Sequence, residues 1–287
     1  MAVTTGTTAG ATGPHPTLAS LATSLVPGAG HYMLGNVRLA ASGFVVIQGL
    51  YLLGVLLSDG LFLSILPPEM RGTFSPVLSP EAGNLGALLA HVQTVGYGGP
   101  APRVWPSPIH VGVALTASSG ILNLLLAARA HFDARARSSA TVEGAAPPPG
   151  QAVLLAWLVP GGGHFLQGRR ARGLVVFALL VGLFALGTML AGTANLDRTR
   201  HFYYWGGQAL LGPIALVWEQ VVGHSIMEAP TRYDEAGVVI ASIAGMLNVL
   251  VMLDVYGTSD ARLFGRPVPT ESGGDAGATG GVQAGAR

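Results

Sequence analysis

Two histidines, two asparagines and a small set of charged residues are the side chains whose types and spacing could do chemistry in this sequence. His31 closes the run Leu25-Val-Pro-Gly-Ala-Gly-His31, and His164 closes Leu158-Val-Pro-Gly-Gly-Gly-His164. Two imidazoles related by a repeat could share a metal ion or a proton. Nothing else completes a metal site, so the alternative is a histidine that hydrogen-bonds a carbonyl freed by a break in a helix. Asn123 and Asn248 each follow a glycine, Gly120 or Gly245, by three residues inside an apolar stretch. A carboxamide in hydrocarbon either ties helices together or marks an ion pathway. Arg129 and Asp254 hold equivalent repeat positions with opposite charge and could pair across an axis between the copies. A snorkelling arginine and a solvated aspartate are the plainer alternative. Arg169, Arg170 and Arg172 follow the second glycine-rich run and, with its amides, could cradle the phosphate of an anionic lipid headgroup.

These groups need elements to position them. In Pro27, Gly28, Gly30, His31 and Gly35, and again in Pro160, Gly161, Gly163, His164 and Gly168, proline withholds a backbone donor while glycine permits left-handed or closely packed backbone. Each run should break a helix. Such backbone is tolerated at membrane depth only where protein or water satisfies it, so the turn belongs in the interior or at the interface. A tight turn flanked by topogenic arginines is its plain reading.

The two runs belong to a longer duplication. Pro27 falls on Pro160 at an offset of 133, which continues through Phe44 and Phe177, Gly49 and Gly182, Gly54 and Gly187, and Leu57 and Leu190. Gly120-Ile-Leu-Asn123-Leu-Leu matches Gly245-Met-Leu-Asn248-Val-Leu at an offset of 125, with Thr116 and Ala241 as further small residues one turn earlier. Fused copies of a membrane unit run parallel when each crosses an even number of times and inverted when the number is odd.

Half of the 287 residues are apolar, 10% are charged and the mean hydropathy is +0.51, far from the balance of soluble domains. Four stretches, 39–58, 109–128, 173–193 and 236–253, are apolar for about the 20 residues that a crossing needs. The sequence therefore predicts an all-α integral membrane protein: two tandem homologous units in one bundle, with four transmembrane helices plus short re-entrant or interfacial helices. The divisions are a disordered N-terminus (1–16), a first unit (17–137), a Pro-rich linker (138–150), a second unit (151–266) and a disordered Gly/Ala-rich tail (267–287).

With four crossings, Arg38, Arg129, Arg135, Arg137, Arg169, Arg170, Arg172, Arg262 and Arg266 share one side, while Arg71, Arg103, Arg198, Arg200 and Arg232 share the other. That asymmetry puts both termini in the cytoplasm. It also requires the approaches at 17–26 and 151–159 to dip in and return, since a full crossing would carry Arg169 to Arg172 outside. The segment 205–222, apolar but holding Pro213 and Glu219, is expected to pack at the interface, with a further crossing as the alternative. Fifteen basic residues without a lysine suggest a GC-rich bacterial genome and hence a bacterial inner membrane.

Leu154-Leu-Ala-Trp-Leu-Val-Pro-Gly-Gly-Gly-His-Phe-Leu-Gln-Gly168, followed by arginines, resembles the turn of the two-transmembrane-helix domain family. It resembles more closely a bacterial membrane family of unknown function, a likeness that runs on to Asn248-Val-Leu-Val-Met-Leu-Asp254-Val-Tyr256. The broad family often carries an acidic residue and an arginine around its turn, where Tyr32 and Phe165 stand here. In that family the approach helix is a full span, contrary to the charge argument. The closer likeness implies location and architecture, but no reaction, ligand or catalytic residue.

A net charge of +1 without a basic face excludes nucleic acid as a partner. The lipid bilayer, anionic headgroups, and a membrane-protein partner or second copy remain. No Ser/His/Asp order, paired carboxylates or phosphate loop stands out, no cofactor is called for, and His91, His110, His201 and Glu219 have no assigned role. The expected function is a non-enzymatic scaffold or accessory subunit. The alternatives are a small transporter or channel with Asn123 and Asn248 near its axis, and a metal-dependent enzyme using His31 and His164.

Overall fold

A computed structural model describes residues 13–66, 79–98, 103–138, 148–222 and 232–267. Arg71, most of the expected linker (139–147), the first twelve residues and the tail from 268 lie outside the described residues. The first unit comprises α1 (Pro16–Leu25), α2 (Ala29–Met33), α3 (Val37–Leu57), α4 (Leu85–Tyr97) and α5 (Ile109–Ser138). The second comprises α6 (Pro149–Leu158), α7 (Gly162–Leu166), α8 (Arg170–Ala191), α9 (Phe202–Ala209), α10 (Pro213–Val222) and α11 (Asp234–Leu263). Among the described residues there is no strand.

Four helices, α3, α5, α8 and α11, are long and apolar enough to cross a bilayer. Phe44, Val45, Leu52 and Leu56 on α3, and Leu174, Val175, Leu179 and Met189 on α8, are exposed. Outward apolar faces of this extent are what lipid solvates and water does not. Inside each unit the two spans cross on small residues. A Cβ on Gly54 would lie 2.6 Å from the Gly112 carbonyl, and one on the equivalent Gly187 would lie 2.5 Å from the Ala241 amide.

The spans α5 and α11 outrun the apolar stretches 109–128 and 236–253, ending at Ser138 and Leu263. Apolar length reports only the part inside hydrocarbon. Beyond it the helices continue because their ends hold each other. Arg135 reaches Asp260 at 3.3 Å, and Phe132 meets Tyr256 and Phe264 edge-on at 6.2 and 5.9 Å. Helix begins at Pro16 and at Pro149.

Arg135 and Asp260 are equivalent positions at the offset of 125, so the axis relating the units passes between the C-terminal ends of α5 and α11. At the other end, Glu81 in the loop leading from α3 to α5 pairs with Arg198 in the loop leading from α8 to α11. Like ends meet like ends, and the units therefore run parallel. An inverted pair would set the loops of one unit against the helix C-termini of the other.

The approach helices α1 and α6 have 10 residues each, about 15 Å of helix against a hydrocarbon core of about 30 Å. Ala19 packs with Ala130 and Ala134 near the C-terminal end of α5. Ser24, deeper in, meets Asn123, and His31 on the return faces Asp133. The chain enters beside the last turns of α5, turns over and comes back, which is the geometry of a re-entrant hairpin. From the opposite end, 205–222 forms a second hairpin in place of the expected interfacial helix. Its bend is at Gly212 (φ +99°) before Pro213, and the indole of Trp205 on one arm donates to Glu219 on the other at 2.9 Å. A side chain at Gly212 would run into the Trp157 carbonyl, so the tips of the two hairpins touch.

Candidate functional site

The turn runs repeat in geometry as they do in sequence. Gly28 and Gly161 are left-handed (φ +83° and +78°) at the start of α2 and α7. A Cβ there would strike the backbone of Ala40 or Gly173, where the following span begins. A Cβ on Gly30 or Gly163 would strike the carbonyl of Ala19 or Ala152 on the approach helix. Both pairs of neighbours are themselves equivalent at the offset of 133. Gly35 and Gly168 (φ +73° and +81°) end α2 and α7, and the amides of Asn36 and Arg169 close back on the carbonyls of His31 and His164 at 2.8 and 2.9 Å.

Each histidine is buried and turned toward a carboxylate rather than a carbonyl. His31 Nε2 is 3.5 Å from Asp133, whose other neighbour is Arg129 at 3.6 Å. His164 Nε2 is 3.8 Å from Asp254, which also faces Arg169 at 3.2 Å and Arg172 at 3.3 Å. Arg129 and Asp254, which could have paired with each other across the axis, instead pair inside their own units. The carboxylate has moved one turn between the copies: Asp133 is equivalent to Thr258, and Asp254 to Arg129. The same constellation of histidine, carboxylate and arginine is built from non-equivalent positions. Sequence reasoning missed Asp133, although its spacing of four from Arg129 on one helix was a readable signal.

The pairing also redirects the arginines proposed for lipid. Arg169 and Arg172 are drawn to Asp254, and Arg169 reaches Thr258 at 3.3 Å. Arg170 faces outward. A metal shared by His31 and His164 has no donor set: among the described residues, no group of three or more His, Cys, Asp and Glu side chains is placed to hold one.

The asparagines fasten the hairpins. Asn123 donates to the carbonyls of Ser24 (3.2 Å) and Gly83 (2.8 Å), and Asn248 to those of Ala156 (3.3 Å) and Leu210 (3.0 Å). In each unit one carboxamide clamps an element entering from one end to an element entering from the other. Gly120 and Gly245 leave room for the second of these, since a Cβ on them would meet the carbonyls of Pro80 and Gly207. The packing partners are therefore half-length elements rather than another span.

A further cluster was not legible as a unit. Glu81 and Arg198 form an ion pair of 2.6 Å and are 1% and 2% exposed. The guanidinium lies over the Trp205 ring at 4.2 Å and the Phe202 ring at 5.3 Å. Trp205 leads on to the buried Glu219. Glu81 lies in no motif, and it is 117 residues from Arg198 in sequence.

Four lipid-facing spans, two parallel homologous units, and polar groups turned inward to fasten half-length helices define a multi-pass helical membrane protein built by duplication. The chain belongs to DUF6677, a family of unknown function, which matches it twice, over residues 18–141 and 151–267. Searches of curated proteins and of solved structures find no match.

Proposed function

We propose that the protein is a non-enzymatic intramembrane scaffold or accessory subunit of a bacterial inner membrane, with both termini in the cytoplasm. The apolar faces of α3 and α8 are its surfaces toward lipid or a partner helix. The observation that carries this reading is the use made of Asn123 and Asn248. Both side chains are fully buried, and the Nδ2 group of each donates to backbone carbonyls of the hairpins, a use of mid-span polar groups that supports a role in holding the fold together. The cavities fit the same reading. One of about 190 Å³ is lined mainly by apolar side chains such as Leu39, Val46, Leu122 and Leu126, with Ser42 and Arg129, and one of about 470 Å³ mainly by Phe184, Met189, Ile214 and Trp218, with Thr188 and Thr193. Arg129, Arg135, Arg169, Arg172, Arg262 and Arg266 gather where α5 and α11 end, which supports a cytoplasmic location for that end.

The resemblance of the turn to the two-transmembrane-helix domain family does not extend to the approach helix, a full span there and ten residues here. No partner is carried over from it. A transporter is the second reading, favoured by one feature. Half-length helices that enter from opposite ends and meet at mid-span also frame the central sites of secondary transporters.

Cysteine accessibility separates the two, and the chain has no native cysteine. In proteoliposomes, single cysteines at Asn123, Asn248 and His164 are expected to resist a membrane-impermeant maleimide while one at Arg170 reacts. Labelling at both asparagine positions would contradict the scaffold.

A further inference from the structure

Nothing in a scaffold requires the slot of about 190 Å³ that α3 and α5 of the first unit make with α6 of the second. Leu39, Ser42 and Val46 line it from α3, Leu122 and Leu126 from α5, and Leu154 from α6. Ser42 and Val46 are exposed, so the slot opens toward hydrocarbon. From Leu39 to Ile47 it follows α3 for about 12 Å, from the end where the arginines gather to the middle of the span. One leaflet of hydrocarbon is about 15 Å deep. A partner helix, about 10 Å across with its side chains, is too wide for so small a volume, whereas a single chain of methylenes is not.

Apart from Ser42, the slot is apolar until its mouth. There the stem of Arg129 lies against Gly150, where an added Cβ would meet its Cβ, Cγ and Cδ, and carries the guanidinium on toward the end of α5. Arg129 Nε is buried without a hydrogen-bond partner among the described residues, its ion partner Asp133 standing off at 3.6 Å. Arg38, one turn before Ser42 on the same face of α3, is exposed at the same end. Two cations above an apolar slot match the two parts of an anionic lipid, phosphate and acyl chain.

We propose that this slot binds one anionic glycerophospholipid of the cytoplasmic leaflet, an acyl chain lying between α3, α5 and α6 and the phosphate held by Arg129 and Arg38. The site rests on the bilayer placement and cytoplasmic end proposed above, not on the scaffold role. The second unit does not repeat it. At the equivalent positions Val175 and Val176 stand for Ser42 and Gly43, Ala171 for Arg38 and Asp254 for Arg129. Branched side chains take the place of the smallest residues of the slot, and a carboxylate already held by Arg169 and Arg172 takes the place of its cation. The duplicated chain therefore binds one such lipid rather than two, and that lipid lies on the seam between the units.

Native mass spectrometry of the full-length protein, released from bilayers of phosphatidylglycerol and phosphatidylcholine with identical chains, reads the bound lipid directly. One phosphatidylglycerol per chain should be retained in preference to phosphatidylcholine. Arg38→Gln and Arg129→Gln should each lower that preference about fivefold. Ser42→Phe should remove bound lipid of either kind by filling the slot, and Arg170→Gln, at an outward arginine of the same end, should change nothing. Should Arg129→Gln fail to fold, Arg38→Gln and Ser42→Phe, both at exposed positions, decide the matter. Two lipids retained equally, no preference for the anionic one, a preference unmoved by Arg38→Gln, or lipid retained by Ser42→Phe would each overturn the proposal. Cysteine labelling at Asn123 and Asn248 would overturn the scaffold and leave these results unmoved.

Discussion

Alanine at Gly161 is expected to leave little folded protein, a loss of about 2–5 kcal/mol. Two costs combine. A left-handed conformation carries about 1–2 kcal/mol for a residue with a Cβ, and forcing an atom into packed backbone adds about 1–3 kcal/mol. The obstacle is the Gly173 carbonyl at the start of α8, main chain that cannot rotate aside. Gly163→Ala shares the second cost through the Ala152 carbonyl. The control is Gly182→Ala on the same span, where no atom lies within 4 Å of the added methyl and alanine suits a helix better by about 0.5–1 kcal/mol. Thermal unfolding of purified protein in detergent compares the three. Equal stability of Gly161→Ala and the unaltered protein would mean that the turn does not hold approach helix and span together.

The second large effect is at Arg198. Removing one partner of a buried ion pair typically costs about 3–5 kcal/mol, because the remaining charge is stranded. Arg198→Leu strands Glu81 and, beyond Trp205, burdens Glu219 as well. Adding Glu81→Gln and Glu219→Gln should restore most of the loss, since neutral side chains need no counter-charge. The exposed pair of Arg103 and Asp59 has a similar separation, 3.1 Å, yet Arg103→Ala should stay within about 1 kcal/mol. The same unfolding measurement decides between them. Additive losses on combining the three substitutions would show that the cluster is not held by charge.

What the sequence made legible was whatever depends on local backbone or on repetition. The glycines of the turn could be read because a left-handed residue and a missing Cβ leave their mark in residue type. The duplication could be read because both copies kept that mark. The extra turns of α5 and α11 could not, since they are held by Arg135 on Asp260 and Phe132 on Phe264, contacts between separate units. The Asn positions were legible as packing groups, but their partners are main-chain carbonyls, which any residue supplies and no sequence signals. Equivalence allowed a pairing of Arg129 with Asp254, and it proved a good guide six residues further along, at Arg135 and Asp260. Near the turn it failed because the second copy carries its carboxylate a turn earlier, beside His164. Glu219 could be singled out as an acid in an apolar stretch; its company with Glu81 arises only when the loops of two units meet.

Everything rests on two parallel units whose approach helices enter and return on one side. Topology reporters fused after Arg137, Arg172 and Arg200 in otherwise full-length protein test this directly. Cytoplasmic signals after Arg137 and Arg172 with an external signal after Arg200 are the expected result. An external signal after Arg172 would make the approach helices full spans and the units inverted, and would contradict the account.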